Sequence, residues 1–377
     1  MDIVPRRRLW ALAALIGGGA ILAGPAQGAL SPLPAQELHR SDRIEDVTVF
    51  AEPTGDVIVA WTGQNNQATV LAAQKPADGA FGPVLTLSTT PNAGDPRLVR
   101  SPDGTVLVAY STATTNTPDE FVVRPLGGAF GAPQQFPIGE RFVDVAADGA
   151  GVATAVWKGN RAGGLDFVAT STAAIGSPFA TFEPLTPDTD DNFIIPRIAM
   201  NASGEAVAAW SRQVSPTEDV LEARLRIGAA FGPLQEILRL PANSGPRPAV
   251  AMGPSGEAIV VWSREVGMEP VVEAAFRAPG SGTLGPVQTL ATGASSPQVA
   301  VIDGGSAVIA WRKTVGETQV AQAVVRPPGG PTGPPADLSE PSAPNEFLRV
   351  AGVAPDAGGG ALVSWERPTG TLSLIHI

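Results

Sequence analysis

Gly204-Glu205-Ala206-Val207-Ala208-Ala209-Trp210 and Gly256-Glu257-Ala258-Ile259-Val260-Val261-Trp262 are two copies of one pattern. A glycine is followed by a run of mostly small or apolar residues, and an aromatic stands six positions after the glycine. The same offset holds for Gly55 and Trp61, Gly104 and Tyr110, Gly151 and Trp157, Gly305 and Trp311, and Gly359 and Trp365. Successive aromatics are 49, 47, 53, 52, 49 and 54 residues apart, and they include the only Tyr and every Trp except Trp10. A period near 50 lies in the range of propeller blades. Runs such as Val57-Ile58-Val59-Ala60, apolar at every position, predict a strand buried on both faces.

Working outward from each copy gives the rest of the blade. A turn-rich cluster precedes the glycine (SPDG ending at Gly104, NASG at Gly204, GPSG at Gly256), with another apolar strand before it. After the aromatic the reading predicts a polar loop of variable length, then a third strand such as residues 69–73 or 221–225. A second motif has its turn glycine 21 to 23 residues past the aromatic: GAFGPVLTL (Gly82), GAFGAPQQF (Gly131), AAFGPLQEI (Gly232) and GTLGPVQTL (Gly285). It opens a fourth strand. The expected fold is all-β, a seven-bladed β-propeller of four-stranded blades, each packing both faces against its neighbours.

The segment Pro34-Ala35-Gln36-Glu37-Leu38 matches the fourth-strand stretch Pro233-Leu234-Gln235-Glu236-Ile237, but no first three strands precede it. After Trp365 the chain offers only a third strand over residues 371–377. The N-terminal strand, residues 34–38, is therefore expected to complete the last blade and close the ring, removing two open edges. A string of two-sheet sandwiches would pair the repeats, which an odd number of copies resists.

Residues 1–28 carry Arg6, Arg7 and Arg8, an apolar stretch from Leu9 to Leu22 and a small-residue exit at Ala26-Gln27-Gly28. That order predicts a signal peptide cleaved after Gly28, leaving residues 29–377 as the propeller, secreted or associated with the cell envelope. The stretch is short for a membrane span and is interrupted by Gly17, Gly18 and Gly19. Without Cys there are no disulfides, so burial must hold the fold together. The net charge of −11 argues against nucleic acid as a partner.

The pattern G-x-apolar-apolar-apolar-A-W, a charged loop and then FGPxQxL resembles exported repeat propellers of high-GC bacteria, and loosely the sialidase-type and kelch-type propellers. The sialidase likeness is most visible at Phe193-Ile194-Ile195-Pro196, leading to Gly204, Trp210 and Arg212. That family places an Arg where Ile194 stands, and its Ser-x-Asp-x-Gly boxes are not matched by SPDG. It also requires a Tyr nucleophile, whereas Tyr110 occupies a repeat aromatic position. The resemblance implies the fold and withholds the chemistry.

His39 and His376 are the only histidines, which excludes a histidine metal site or a Ser-His-acid triad. No cofactor is implied. Asp103, Asp148, Asp303 and Asp356 precede the repeat glycines, where Asp caps tight turns. Residues 188–192 (DTDDN) have oxygen ligands for Ca²⁺ but lack the twelve-residue frame of a calcium hand.

The basic residues are more informative. Segments entering each innermost strand carry Arg43, Arg97, Arg141, Arg197, Arg247 and Arg349. Those leaving the second strand carry Lys158, Arg161, Arg212, Arg264, Arg312, Lys313 and Arg367. In a propeller both sets open on one face. Either each Arg pairs with a neighbouring acid such as Asp95, Glu140, Asp191 or Glu265, or the guanidiniums converge on an anionic ligand. On the second reading Arg97, Arg197 and Arg349 reach the channel mouth, with Arg212 and Arg264 behind them. The expectation is a non-enzymatic, monomeric binder of an anionic glycan or envelope protein. Its alternatives are a glycoside hydrolase or lyase using carboxylates such as Asp191 and Glu265, and a surface scaffold.

Overall fold

The computed structural model of the 377-residue chain describes residues 10–14, 36–41, 43–51, 56–64, 66–77, 79–112, 117–137, 141–160, 166–187, 193–242, 244–355, 360–367 and 371–376. These residues form seven antiparallel blades in a ring, each innermost strand beside that of the next blade and the seventh beside the first. Blade 4 is representative, running outward through Phe193–Met200, Ala206–Ser215, Glu218–Arg226 and Gln235–Pro241. The second strands are buried at nearly every position up to the aromatic, as expected for a sheet covered on both faces.

Both halves of the repeat motif have a physical cause. Gly104, Gly151, Gly204, Gly256 and Gly305 all sit in the turn between first and second strands at φ between 80 and 86°. A side chain there is strained, and a Cβ at Gly104 would lie 2.7 Å from Leu126. The preceding polar residue ties the turn. Asp148 Oδ1 accepts from the Ala150 and Val152 amides, both at 2.9 Å, and Asp103 Oδ1 accepts from the Thr105 amide at 2.9 Å. Asn201 does the same in blade 4, accepting from the Ser203 and Glu205 amides at 3.1 and 3.0 Å. Asp356 and the side chain of Asp303 lie outside the described residues.

The aromatic is the contact point between blades. A fourth-strand apolar residue from one blade joins the cluster around the aromatic of the next: Leu87 with Tyr110, Phe136 with Trp157, Leu185 with Trp210, Ile237 with Trp262, Leu290 with Trp311 and Leu338 with Trp365. Leu38 packs on the Trp61 cluster and takes the seventh place in this series. The N-terminal chain therefore covers blade 1 as the outer strand of any other blade covers its neighbour.

The N-terminal chain closes the ring, as expected, and in the full chain it does so with two strands. Gln36–Ser41 pairs antiparallel with Trp10–Ala14, and it is Trp10–Ala14 that lies against Thr371–His376. The hydrogen-bonded sheet of the last blade is three-stranded: Arg349–Pro355, Ala361–Arg367 and Thr371–His376. Trp10–Ala14 falls within residues 1–28, the expected signal peptide, so in a chain cleaved after Gly28 it is Gln36–Ser41 that is left to cover the edge of Thr371–His376.

Polar side chains also bridge blades. Asp119, 1% exposed, accepts from the Thr112 and Val143 amides, both at 3.0 Å, and from the Ser111 hydroxyl at 3.3 Å, joining blade 2 to blade 3. Burial pushes its carboxyl up to about 7, and these hydrogen bonds only partly offset the effect; Asp95 adds to it. An unfolded Asp titrates near ~4. The native group's preference for its proton thus stabilises the fold fully below that pH, and the contribution is lost as pH rises through about 7. Stability measured by denaturant titration is expected to fall between about pH 4 and pH 7 and to level off above. In Asp119→Asn the fall should be much reduced; an unchanged pH profile would show that other groups cause it.

Candidate functional site

A recurring bulge builds the axial face. In blades 1, 2, 3, 4 and 6 the innermost strand carries two residues opposite the single core aromatic, shifting the register between Glu45 and Thr48, Gly94 and Arg97, Arg141 and Asp144, Ile194 and Arg197, and Ser295 and Gln298. Blade 7 bulges between Val350 and Gly352. Asp46, Asp95 and Ser296 take positive φ at the same place, 52, 55 and 55°. Pro96, Pro196 and Pro297 sit there too, where the ladder requires no amide. Such bulges re-aim the residues that follow them.

The bulges bring charged side chains from separate blades together. Arg97 Nη2 lies 2.7 Å from Asp95 Oδ1, and its Nε lies 3.4 Å from Asp144 of blade 3. Arg197 of blade 4 reaches Asp95 of blade 2, Nη1 to Oδ2 3.8 Å, a contact made across the ring. Arg349 of blade 7 stands 3.7 Å from Asp46 of blade 1. Asp144 Oδ2 accepts from the Ile198 amide at 2.9 Å, while the Thr62 hydroxyl contacts Asp46 at 3.4 Å and accepts from the Asp95 amide at 3.1 Å. Three of the five predicted arginines, Arg97, Arg197 and Arg349, thus belong to one axial network.

The two central guanidiniums are not equivalent. Withdrawal from water works against the charge of Arg97, but Asp95, Asp144 and Asp46 more than offset it, and its pKa is raised. For Arg197 the same withdrawal, followed by repulsion from Arg97, outweighs the attraction of Asp95, Asp144 and Asp46, and its pKa is lowered. Arg197 Nη1 is buried without a hydrogen-bond partner. Arg97 lies closer to carboxylates than Arg197 does, and among the described residues each keeps one buried nitrogen without a hydrogen-bond partner, Nε in Arg97 and Nη1 in Arg197.

Arg212 and Arg264 are placed differently. The second strands of blades 4, 5 and 6 run on past the aromatic to Ser215, Val266 and Val315 and turn back within two residues, so these arginines stand on strands, not in a polar loop. Arg212 makes a two-pronged bond to Glu222, Nε to Oε2 2.8 Å and Nη2 to Oε1 2.9 Å, and Trp210 Nε1 donates to the same carboxylate at 3.1 Å. Arg264, Glu273 and Trp262 repeat this arrangement at 2.7, 2.8 and 3.1 Å. The acids were missed because Glu222 and Glu273 come 12 and 11 residues after their aromatics, on another strand. Tight hairpins put them directly opposite Trp210 and Trp262.

Tyr110 is fully buried and its hydroxyl donates to the Leu87 carbonyl at 3.3 Å; burial, then Glu120, raises its pKa, which leaves no nucleophile there. Glu265 is exposed near the end of Ala258–Val266. Residues 188–192, with Asp191, and the side chains of Arg43 and Arg141 lie outside the described residues. Among the described residues no group of three or more His, Asp or Glu is arranged to hold a metal ion.

No protein-family model and no curated protein matches the chain. Solved structures do. The chain is similar to the β-propeller domain of the Trilobed protease from Pyrococcus furiosus (11% identity over 88% of this chain and 95% of that chain, TM-score 0.53). It is also similar to a protein of unknown function from Dyadobacter fermentans (12%, 78% and 93%, TM-score 0.50) and to an ulvan lyase of the polysaccharide lyase class (9%, 74% and 75%, TM-score 0.48). At these identities the likeness is one of fold: the chain is a seven-bladed β-propeller whose structural neighbours include a polysaccharide lyase and a protease domain.

Proposed function

We propose that this chain is an exported, non-enzymatic propeller that binds an acidic saccharide or cell-envelope polymer over its axial opening. The observation that carries the reading is the pair Arg97 and Arg197, two guanidiniums from different blades side by side, each about a quarter exposed, with Arg197 no nearer than 3.8 Å to Asp95. A ligand carboxylate or sulfate meets the exposed edge of these guanidiniums, not the buried Arg197 Nη1, and relieves their mutual repulsion. Arg349, at 42% exposure the most exposed of the three guanidiniums, is offered as the next contact along a polymer. Arg97 acts by fixing Asp95 and Asp144, which hold the innermost strands of blades 2 to 4 in place.

A glycan array followed by calorimetry on the mature chain tests this. Uronate or sulfated oligosaccharides are expected to bind, more weakly as salt rises. Arg197→Ala should lose roughly 10- to 100-fold in affinity, the worth of a charged hydrogen bond. Arg239→Ala, which removes an exposed ion pair with Glu218 and Glu236, should lose none. Undiminished binding in Arg197→Ala, or release of reducing ends or unsaturated uronate products, would overturn the reading. The mass of the secreted chain reports cleavage after Gly28.

A further inference from the structure

Blade 6 breaks the pattern that blades 4 and 5 share. In those blades the carboxylate opposite the tryptophan takes the tryptophan N–H and a two-pronged Arg from two residues past it. In blade 6 the opposite residue is Gln322, which still accepts from Trp311 Nε1 at 3.1 Å but has no charge to offer. Two residues past Trp311 stands Lys313, whose ammonium bonds the Thr292 carbonyl at 2.6 Å. The guanidinium is one position earlier, at Arg312.

Arg312 has no carboxylate partner among the described residues. Its Nε and Nη2 both go to the single hydroxyl of Ser295, at 3.1 and 2.7 Å, and Nη1 has no acceptor among those residues. Withdrawal from water lowers its pKa, with no opposing acid to raise it. The guanidinium carbon lies 4.5 Å from the centre of the Phe347 ring, and Phe347 is 52% exposed. The guanidinium covers one face of the half-exposed ring, which leaves the other face as an apolar stacking surface next to a cation with no counter-ion among the described residues. A pyranose bearing a carboxylate or sulfate has the matching halves, a face of C–H groups and a charged edge.

We infer that Arg312 and Phe347 form a second saccharide subsite, taking one uronate or sulfated pyranose unit with its C–H face on Phe347 and its anion on Arg312 Nη1. Arg349 follows Phe347 by two residues at the start of the blade 7 innermost strand, so a polymer lying here continues toward the axial network. The inference rests on the acidic-saccharide reading above and extends it to blades 6 and 7.

The test is calorimetry with a galacturonate trisaccharide at low salt on the wild type and on Arg312→Gln, Phe347→Ala and Arg197→Ala, each checked for an unchanged melting profile. Phe347→Ala alters an exposed side chain, so it remains informative if Arg312→Gln folds poorly. Phe347→Ala is expected to lose about tenfold and Arg312→Gln about 10- to 100-fold, while the neutral methyl glucoside should not bind. Binding that depends on Arg197 but not on Arg312 or Phe347 would overturn the second subsite and leave the axial reading standing. Dependence on Arg312 and Phe347 alone would support the subsite and overturn the axial reading, and no binding by the wild type would overturn both.

Discussion

Trp210→Ala is expected to lower stability by about 3–5 kcal/mol, the range for removing a large aromatic from a packed core. The ring is fully buried among Val156, Val168 and Leu185 of blade 3 and Ile198 and Ala208 of its own blade, so the cavity would open at a joint between blades. The substitution also removes the indole donor to Glu222 at 3.1 Å. Denaturant unfolding of the mature chain measures the loss. A loss under about 1 kcal/mol, the size of an ordinary substitution, would mean that the aromatic series does not hold the blades together.

Arg212→Ala is expected to cost about 3 kcal/mol, far above the ~0.5 kcal/mol of a surface position. The sequence places Arg212 just past the aromatic, in what reads as an exposed loop. The structure puts it on the extended second strand at 17% exposure, holding Glu222 at 4% exposure. Removing the guanidinium takes away the two-pronged bond, leaving that carboxylate the indole N–H and the more distant charge of Arg224 among the described residues. Blade 6 indicates the rescue: adding Glu222→Gln reproduces the Trp311 and Gln322 pair, whose bond is 3.1 Å. The double variant should recover most of the loss in the same unfolding measurement. A double variant as unstable as the single one would show that Arg212 acts through packing and not through its charge.

The blade plan was legible because it rests on short-range constraints repeated seven times. A glycine at positive φ, an Asp or Asn that ties the turn and an apolar run ending in an aromatic each leave a mark on consecutive residues. Even the covering role of Leu38 is visible, since PAQEL copies a fourth-strand stretch whose Ile237 packs on Trp262. Which strand pairs beside it was not legible. In the full chain Trp10–Ala14 stands between Gln36–Ser41 and Thr371–His376, and no motif in residues 1–28 marks it as a strand.

For the site, the sequence by itself determined that arginines enter the innermost strands on one face. It also shows Arg97 and Arg197 each 13 residues before their core aromatic. Only the tertiary structure decided which acids each of them meets and how closely. Ring closure carries Arg197 across to Asp95, two blades away, and sets it beside Arg97, a relation no linear spacing encodes. Hairpin register decides the rest: it places Glu222 and Glu273 opposite Trp210 and Trp262, where they bind Arg212 and Arg264, and uncharged Gln322 opposite Trp311, while Arg312, one position nearer its aromatic, meets no acid among the described residues. Charge along a chain is a local property, but its neutralisation depends on distances of a few ångströms between strands, and folding alone sets those.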